Sequence, residues 1–230
     1  MSPLTILLLA FLAGFLPAIF WLVFWLKEDA HPEPKWLIFL TFMLGMAAVP
    51  AVIPFEKGIL KLFAGGPLLI IGWAFIEEVF KFIAASIALR RREDDEPVDP
   101  LIYLITAALG FAALENTFFL FNPLLNEGFI GAMITGNMRF IGATILHTIS
   151  SGLIGLLMGL SFYRNSKKKK TYFFTGFLGA TSLHALFNFL IIQGKGETII
   201  AVFAGVWILA IILLLMFEVL KKIKKPLNKI

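Results

Sequence analysis

WAFIEEVFKFIAA, residues 73–85, sets two adjacent glutamates and a lysine inside a stretch that otherwise reads as hydrocarbon. Whether this is a soluble helix or a membrane-buried one decides the fold, and the surrounding composition answers the question. The 230 residues are 59% hydrophobic and only 15% charged, with a mean hydropathy of +0.90. That is too little polar surface to cover a soluble domain. The expected architecture is all-α, a polytopic transmembrane helical bundle forming a single membrane-embedded domain over residues 1–230.

Working outward from 73–85, apolar runs of about 20 residues, the length that crosses a hydrocarbon core about 30 Å thick, recur along the chain. They fall near 4–26, 36–54, 67–89, 101–121, 139–163, 172–193 and 198–220, which makes about seven spans. The first is longer than a signal-peptide core and lacks a basic leader or a small-residue cleavage site, so it is kept as a helix. KEDAHPEPK (27–35), RRREDDEPVDP (90–100), RNSKKKK (164–170) and QGKGE (193–197) are connections. Residues 55–66 are expected along the outer interface, and residues 123–136 as a loop or re-entrant hairpin.

The basic residues, which with a pI near 9.5 invite a nucleic-acid reading, sit instead in short clusters flanking the apolar runs. There they set orientation. With the C-terminus cytoplasmic, the inside holds Lys27, Lys35, Arg90, Arg91, Arg92, Arg164, Lys167, Lys168, Lys169, Lys170 and the tail KKIKK. The outside holds Lys57, Lys61 and Lys195. Seven spans then put the N-terminus outside. No nucleic-acid partner is expected, and the clusters suit anionic lipid headgroups of a cell (cytoplasmic) membrane. Absence of cysteine excludes disulfides, thiolate nucleophiles and cysteine-zinc sites.

The polar residues within the spans carry the functional question: Glu77, Glu78 and Lys81, then Glu115 and Asn116, then His147, then His184 and Asn188. A charge at mid-bilayer costs about 2.5–3.5 kcal/mol on the insertion scale and needs a partner or a wet cavity. Each group has an ordinary explanation. Asparagine is often packing glue between helices, Glu77 and Lys81 form an ion pair at i,i+4, and Arg139 and Glu218 near helix ends reach the interface. Taken together they are harder to dismiss. At a rise of about 1.5 Å per residue, Glu77, Glu115, His147, His184 and Asn188 all fall roughly 17–24 Å from the cytoplasmic end of their helices, which defines one polar layer.

Burial disfavours the charged form of a carboxylate, which suits a general base at neutral pH. Neutral histidine and asparagine offer donors to a developing oxyanion. This is equipment for adding water to a carbonyl, and no serine, threonine or cysteine lies in a nucleophile motif. Two histidines and a carboxylate equally form a catalytic zinc set, for which Glu115, His147 and His184 are the candidate ligands of one zinc ion. No HExxH helix is present, so such a site must be assembled from separate helices. Water activation with or without a metal stays open. At 100° per residue Glu77 and Glu78 diverge, with Lys81 between them and nearer Glu77. One glutamate should therefore face water while Lys81 neutralises the other. Gly152, Gly155, Gly159, Gly176 and Gly179 are expected to bring the two histidine helices together.

The set EEVFK (77–81), FAALEN (111–116), HTISS (147–151) and HALFN (184–188) resembles the PrsW family of intramembrane proteases, and more distantly the CAAX prenyl endopeptidase and bacteriocin-processing superfamily. The resemblance covers the third to sixth expected spans, with a motif-bearing core at 67–193. It implies a polytopic bacterial membrane protease that cuts single-span membrane proteins, including anti-sigma factors by site-1-type cleavage. It further implies Glu77 as the water-activating residue and Glu78 as the neighbour that pairs with a base. His184 and Asn188 match an HxxxN motif, and His147 with Ser151 a related one. Glu115 stands where the prenyl endopeptidases carry histidine, and Lys81 one position before their usual arginine. The rival class is a proton-coupled carrier, in which the same Glu, His and Lys residues form a relay through the membrane.

Overall fold

The computed structural model describes residues 2–91 and 93–225, and within them it is helical with no strand. Arg92, counted above for orientation, lies outside the described residues. The helices are α1 (Pro3–Glu28), α2 (Lys35–Phe63), α3 (Pro67–Ser86), α4 (Asp99–Asn126), α5 (Gly128–Met138), α6 (Thr144–Leu160), α7 (Ser166–Gln193) and α8 (Glu197–Leu220). A 3₁₀ turn at Ala88–Arg90 follows α3, and a π-helical turn, Arg139–Ala143, joins α5 to α6. Runs of Leu, Ile, Phe and Ala satisfy their backbone polar groups internally as helices, as hydrocarbon requires. Side chains close two of the ends: Ser2 Oγ accepts from the Thr5 amide and Asn165 Oδ1 from the Lys168 amide.

Six helical runs are long and apolar enough to cross a membrane: α1, α2, α4, the continuous run Gly128–Leu160, α7 and α8. The third expected span, α3, has the length, with 20 residues, but carries Glu77, Glu78 and Lys81. All three are buried against neighbouring helices.

Two expected boundaries are corrected. Helix α2 does not stop at 54; it continues through Pro50 and Pro54 to Phe63, because proline interrupts only one backbone bond and membrane helices tolerate the gap. It ends where Ala64 turns left-handed at φ 44 and returns its N–H to Leu60. Most of the 55–66 stretch is thus a helix extension. Residues 123–136 are not a loop but a helical hairpin, in which Ala132 packs back against Leu120 and Leu124. Helix α4 runs to Asn126, Gly128 makes the turn at φ 76, and helix resumes at once as α5.

Helix α4 is the axis of the bundle, buried on every side from Asp99 to Ala113. Its neighbours come close because they carry glycine. A Cβ on Gly45 would stand 2.1 Å from the Ala107 carbonyl, and one on Gly110 would stand 2.0 Å from that of Phe42, so α2 and α4 touch backbone to backbone. Helix α1 carries a buried stripe of Ile6, Ala10, Gly14, Ala18 and Leu22, and Gly14 seats it on Ala113 and Thr117 of α4. The glycines of the histidine helices divide their roles. Gly155 and Gly159 press on α4 and the segment before it, while Gly176 and Gly179 press on α6. Only the second pair serves the α6–α7 contact expected of all five, because α6 must also seat against the central helix. Helix α8 is the most exposed of the six membrane-crossing runs and lies against α6.

At one end of the bundle the α1–α2 and α3–α4 connections meet. Tyr103 donates its hydroxyl to Glu33. Asp99 Oδ2 accepts from the Asp95 and Glu96 amides at 2.7 Å each, and His31 lies 3.3 Å from Glu96. Burial and the neighbouring Asp99 push the Asp94 carboxyl up to about 7, and burial also raises Glu33. These contacts pin the connections to the start of α4.

Candidate active site

Helix α3 delivers three charged side chains into the bundle, and their surroundings differ. Glu78 is fully enclosed and accepts four hydrogen bonds: from Lys81 Nζ at 2.7 Å, Ser150 Oγ at 3.0 Å, Ser151 Oγ at 2.7 Å and His184 Nδ1 at 2.9 Å. It is the knot that ties α3 to α6 and α7. A buried carboxylate is tolerable only when its lone pairs are met in this way. Lys81 therefore pairs with Glu78, not with Glu77, whose Oε2 stands 3.9 Å away. Helical spacing alone leaned to Glu77, whereas the resemblance implied Glu78; the cluster of donors from α6 and α7 draws the charge to Glu78.

Lys81 has a second partner, the Nδ1 of His147 at 2.8 Å. A charged ammonium has no lone pair, so Nδ1 must be the acceptor, and the ring proton sits on Nε2. That proton is donated to Glu115 Oε2, 3.0 Å away. Glu115 also receives Arg139, whose Nε meanwhile donates to Asn116 Oδ1. Asn116 in turn donates to Thr144 Oγ1 at 2.9 Å. The result is a continuous chain from Glu78 through Lys81, His147 and Glu115 to Arg139.

Arg139 is the functional-looking residue that sequence reasoning missed, because near a helix end it reads as reaching for the interface. The π-helical turn that starts at Arg139 aims it inward onto Glu115 and over the Phe119 ring, 3.9 Å from its centroid. Local widening of a helix to π geometry is common at functional sites. A second cation for a second buried glutamate was the available signal. Ser150 is the other addition, its hydroxyl indistinguishable in sequence from a packing serine.

Glu77 differs from every other member. It is 6% exposed, and its Oε2 has no hydrogen-bond partner. The nearest polar atom on another helix is His184 Nε2, at 3.6 Å. Since Nδ1 of His184 donates to Glu78, Nε2 carries a lone pair, and two electron-rich atoms face each other. Such a gap fits a cation or a molecule that donates protons to both. Beside it opens a cavity of about 560 Å³, lined by Glu77, Glu115, Arg139, His147, His184 and Asn188 among apolar neighbours. Glu78 and Lys81 lie behind this wall.

All eight expected site residues thus gather in one region, but the metal-ligand grouping differs from expectation. The ligand atoms that lie within 4.8 Å of one another belong to Glu77, His147 and His184; Glu115 is engaged by Arg139 instead. The donor set and the orphaned Glu77 oxygen fit a zinc ion. Glu78 on the far nitrogen of His184 is the kind of outer carboxylate that orients a ligating imidazole. His147 joins the set only by giving up one of its two hydrogen bonds.

A buried carboxylate-imidazole cluster on a cavity among membrane-crossing helices defines a multi-pass membrane hydrolase. The model of the PrsW family intramembrane metalloprotease matches residues 33–216, and the chain belongs to that family: it is an intramembrane protease. Relatives named Protease PrsW include one from Oceanobacillus iheyensis, 27% identical over 86% of this chain and 91% of its own. Another from Geobacillus kaustophilus is 27% identical over 78% of each chain. That of Bacillus subtilis is 23% identical over 78% of this chain and 81% of its own. No solved structure matches the chain.

Proposed function

We propose that this protease cuts a membrane-anchored, single-span protein with water activated by Glu77, acting in the cytoplasmic membrane. One observation carries the reading: the unpartnered Glu77 Oε2 faces the His184 Nε2 lone pair across 3.6 Å at the cavity wall. Water is the smallest molecule that donates to both. As its oxygen attacks the scissile carbonyl carbon, Glu77 takes the water proton and later passes it to the departing amine. Asn188, on the same cavity, offers its amide N–H groups to the carbonyl oxygen as that oxygen gains charge.

The other residues position these three. Glu78 holds His184 by Nδ1 so that Nε2 keeps its lone pair toward the water. Lys81 neutralises Glu78 and fixes His147, and Arg139 anchors Glu115 and Asn116. Were a zinc ion held by Glu77, His147 and His184, Glu77 would act as a ligand in place of its role as base, and the metal would supply Lewis-acid polarisation of the carbonyl and a more acidic water.

The family resemblance supports an anti-sigma factor as substrate, cut in site-1 fashion. The lysine and arginine bias supports a cytoplasmic C-terminus, which puts the site in the outer half of the bilayer. A membrane helix shields its own peptide bonds, so the cut falls where the substrate helix unwinds or ends. The test is cleavage of a tagged single-span substrate in proteoliposomes by wild type, Glu77→Gln, Glu115→Gln and His184→Ala. Equal product from all four overturns the reading, and solute flux without proteolysis would support a carrier instead.

A further inference from the structure

The catalytic cavity has a second boundary that faces lipid. Between α7 and α8 runs an apolar groove of about 340 Å³, lined on one side by Leu183, Leu190 and Phe187 and on the other by Ala201, Val202 and Gly205. Phe187 lines both this groove and the catalytic cavity, so a single layer of side chains separates them. The second member of that layer is Phe203, which also lines the cavity. Its ring stacks on Phe187 with centroids 6.4 Å apart and planes at 21°.

Phe203 is seated in a fitted place. A Cβ on Gly142 would stand 2.4 Å from its ring, so the ring fills the space that this glycine leaves in the π-helical turn. Four residues further along α8, Trp207 donates its indole N–H to the Ile141 carbonyl at 3.1 Å. A π-helical turn leaves a carbonyl without its usual helical partner, and α8 supplies one. Helix α8 thus holds, at two points, the turn that carries Arg139. It is otherwise the least buried of the six membrane-crossing runs, and among them the one that moves at least expense to packing.

We infer that the α7–α8 groove receives the membrane helix of the substrate, and that Phe203, stacked on Phe187 and seated on Gly142, is the gate through which that helix reaches the catalytic cavity. The inference rests on the protease reading above. The occupant follows from continuity: a substrate that lives in the bilayer must reach Glu77 and His184 sideways, and on the α7–α8 side one aromatic pair divides bilayer from cavity. The groove also presents Ala201 and Gly205, with open space beyond Gly205, so another helix backbone can lie close. This places entry on the side of α8 and not beside α5.

Three variants test the route. Gly205→Trp puts its Cβ into open space, with nothing within 4 Å, and extends its ring along the groove. It should lower cleavage of a single-span substrate by about tenfold or more, equivalent to about 1.4 kcal/mol of docking, while cleavage of a short detergent-soluble peptide spanning the same bond is unchanged. Phe203→Ala should raise the ratio of single-span to peptide cleavage. In the Glu77→Gln background, a photo-crosslinking residue at 205 should capture the single-span substrate, whereas one at Ile130 on α5 should not. Capture at 130 alone, capture at 205 only of lipid or of a second enzyme copy, or unchanged single-span cleavage by Gly205→Trp would each overturn the gate and leave the protease reading standing. Wild type that cuts neither substrate would overturn the protease reading itself.

Discussion

Lys81 Nζ and His147 Nδ1 lie 2.8 Å apart, joining the charge buried on α3 to the imidazole on α6. The contact dictates which ring nitrogen holds the proton, and through it the direction of every hydrogen bond between Glu78 and Arg139. Nitrogen NMR of histidine-labelled protein should show His147 as the Nε2–H form and His184 as the Nδ1–H form. Lys81→Met should release the first assignment and, by leaving Glu78 without its cation, cost about 3–5 kcal/mol of stability.

The adjacent glutamates should separate cleanly on substitution. Glu77→Gln removes an atom that bonds to nothing in the fold, so the thermal midpoint in detergent should stay the same or rise while cleavage falls by about 10²–10⁴-fold. Glu78→Gln breaks the knot of four donors and should lower the midpoint strongly. Equal destabilisation by both would remove the distinction.

Metal content offers an independent check on the grouping. If purified protein carries zinc, Glu77→Gln and His184→Ala should lower the zinc-to-protein ratio, and Glu115→Gln should leave it unchanged because Arg139 holds that carboxylate. Loss of zinc in Glu115→Gln alone would return the ligand set to the one expected from sequence.

Arg139 and Glu115 should be coupled. Arg139→Ala leaves Glu115 with His147 as its remaining partner, and Glu115→Gln in the same background should recover part of the loss. A double-mutant cycle on thermal stability should give an interaction of about 0.5–3 kcal/mol, and additive effects would deny the contact.

Outside the spans, Asp94 is raised from 3.8 to about 7 by burial and then by Asp99 and Asp95, with Lys169 opposing. A folded-state value above the unfolded one means that the fold favours the protonated form. Its stabilisation is full below pH 3.8 and is lost as pH rises through about 7. Thermal midpoints measured across that window should decline for wild type and decline less for Asp94→Asn, with a residual slope from Glu33, which burial also raises.

Much of this molecule is legible along the chain, because hydrocarbon imposes a simple code. Apolar length locates the spans, although α2 runs nine residues past its expected end, and intramembrane charge marks the polar cluster, since no such group persists there without a partner. The eight polar residues picked from within the spans, five of them by depth, all reach one region. The errors have local causes. Pro50 and Pro54 read as a stop although a membrane helix carries through them, and Gly128 followed by helix-compatible residues reads as a loop.

The sequence by itself determined the membrane class, the helices and the identity of the reactive layer, because each depends on transfer energies and on the periodicity of one helix at a time. Only the tertiary structure decided that Lys81 lies closer to Glu78 than to Glu77, that Glu77 Oε2 is left without a hydrogen bond at the cavity, that Glu77 and not Glu115 lies within 4.8 Å of both histidines, and that Arg139 turns inward. Those outcomes depend on which donors from other helices reach each oxygen, and hydrogen bonds between helices act over about 3 Å, a range that no spacing within one helix can specify.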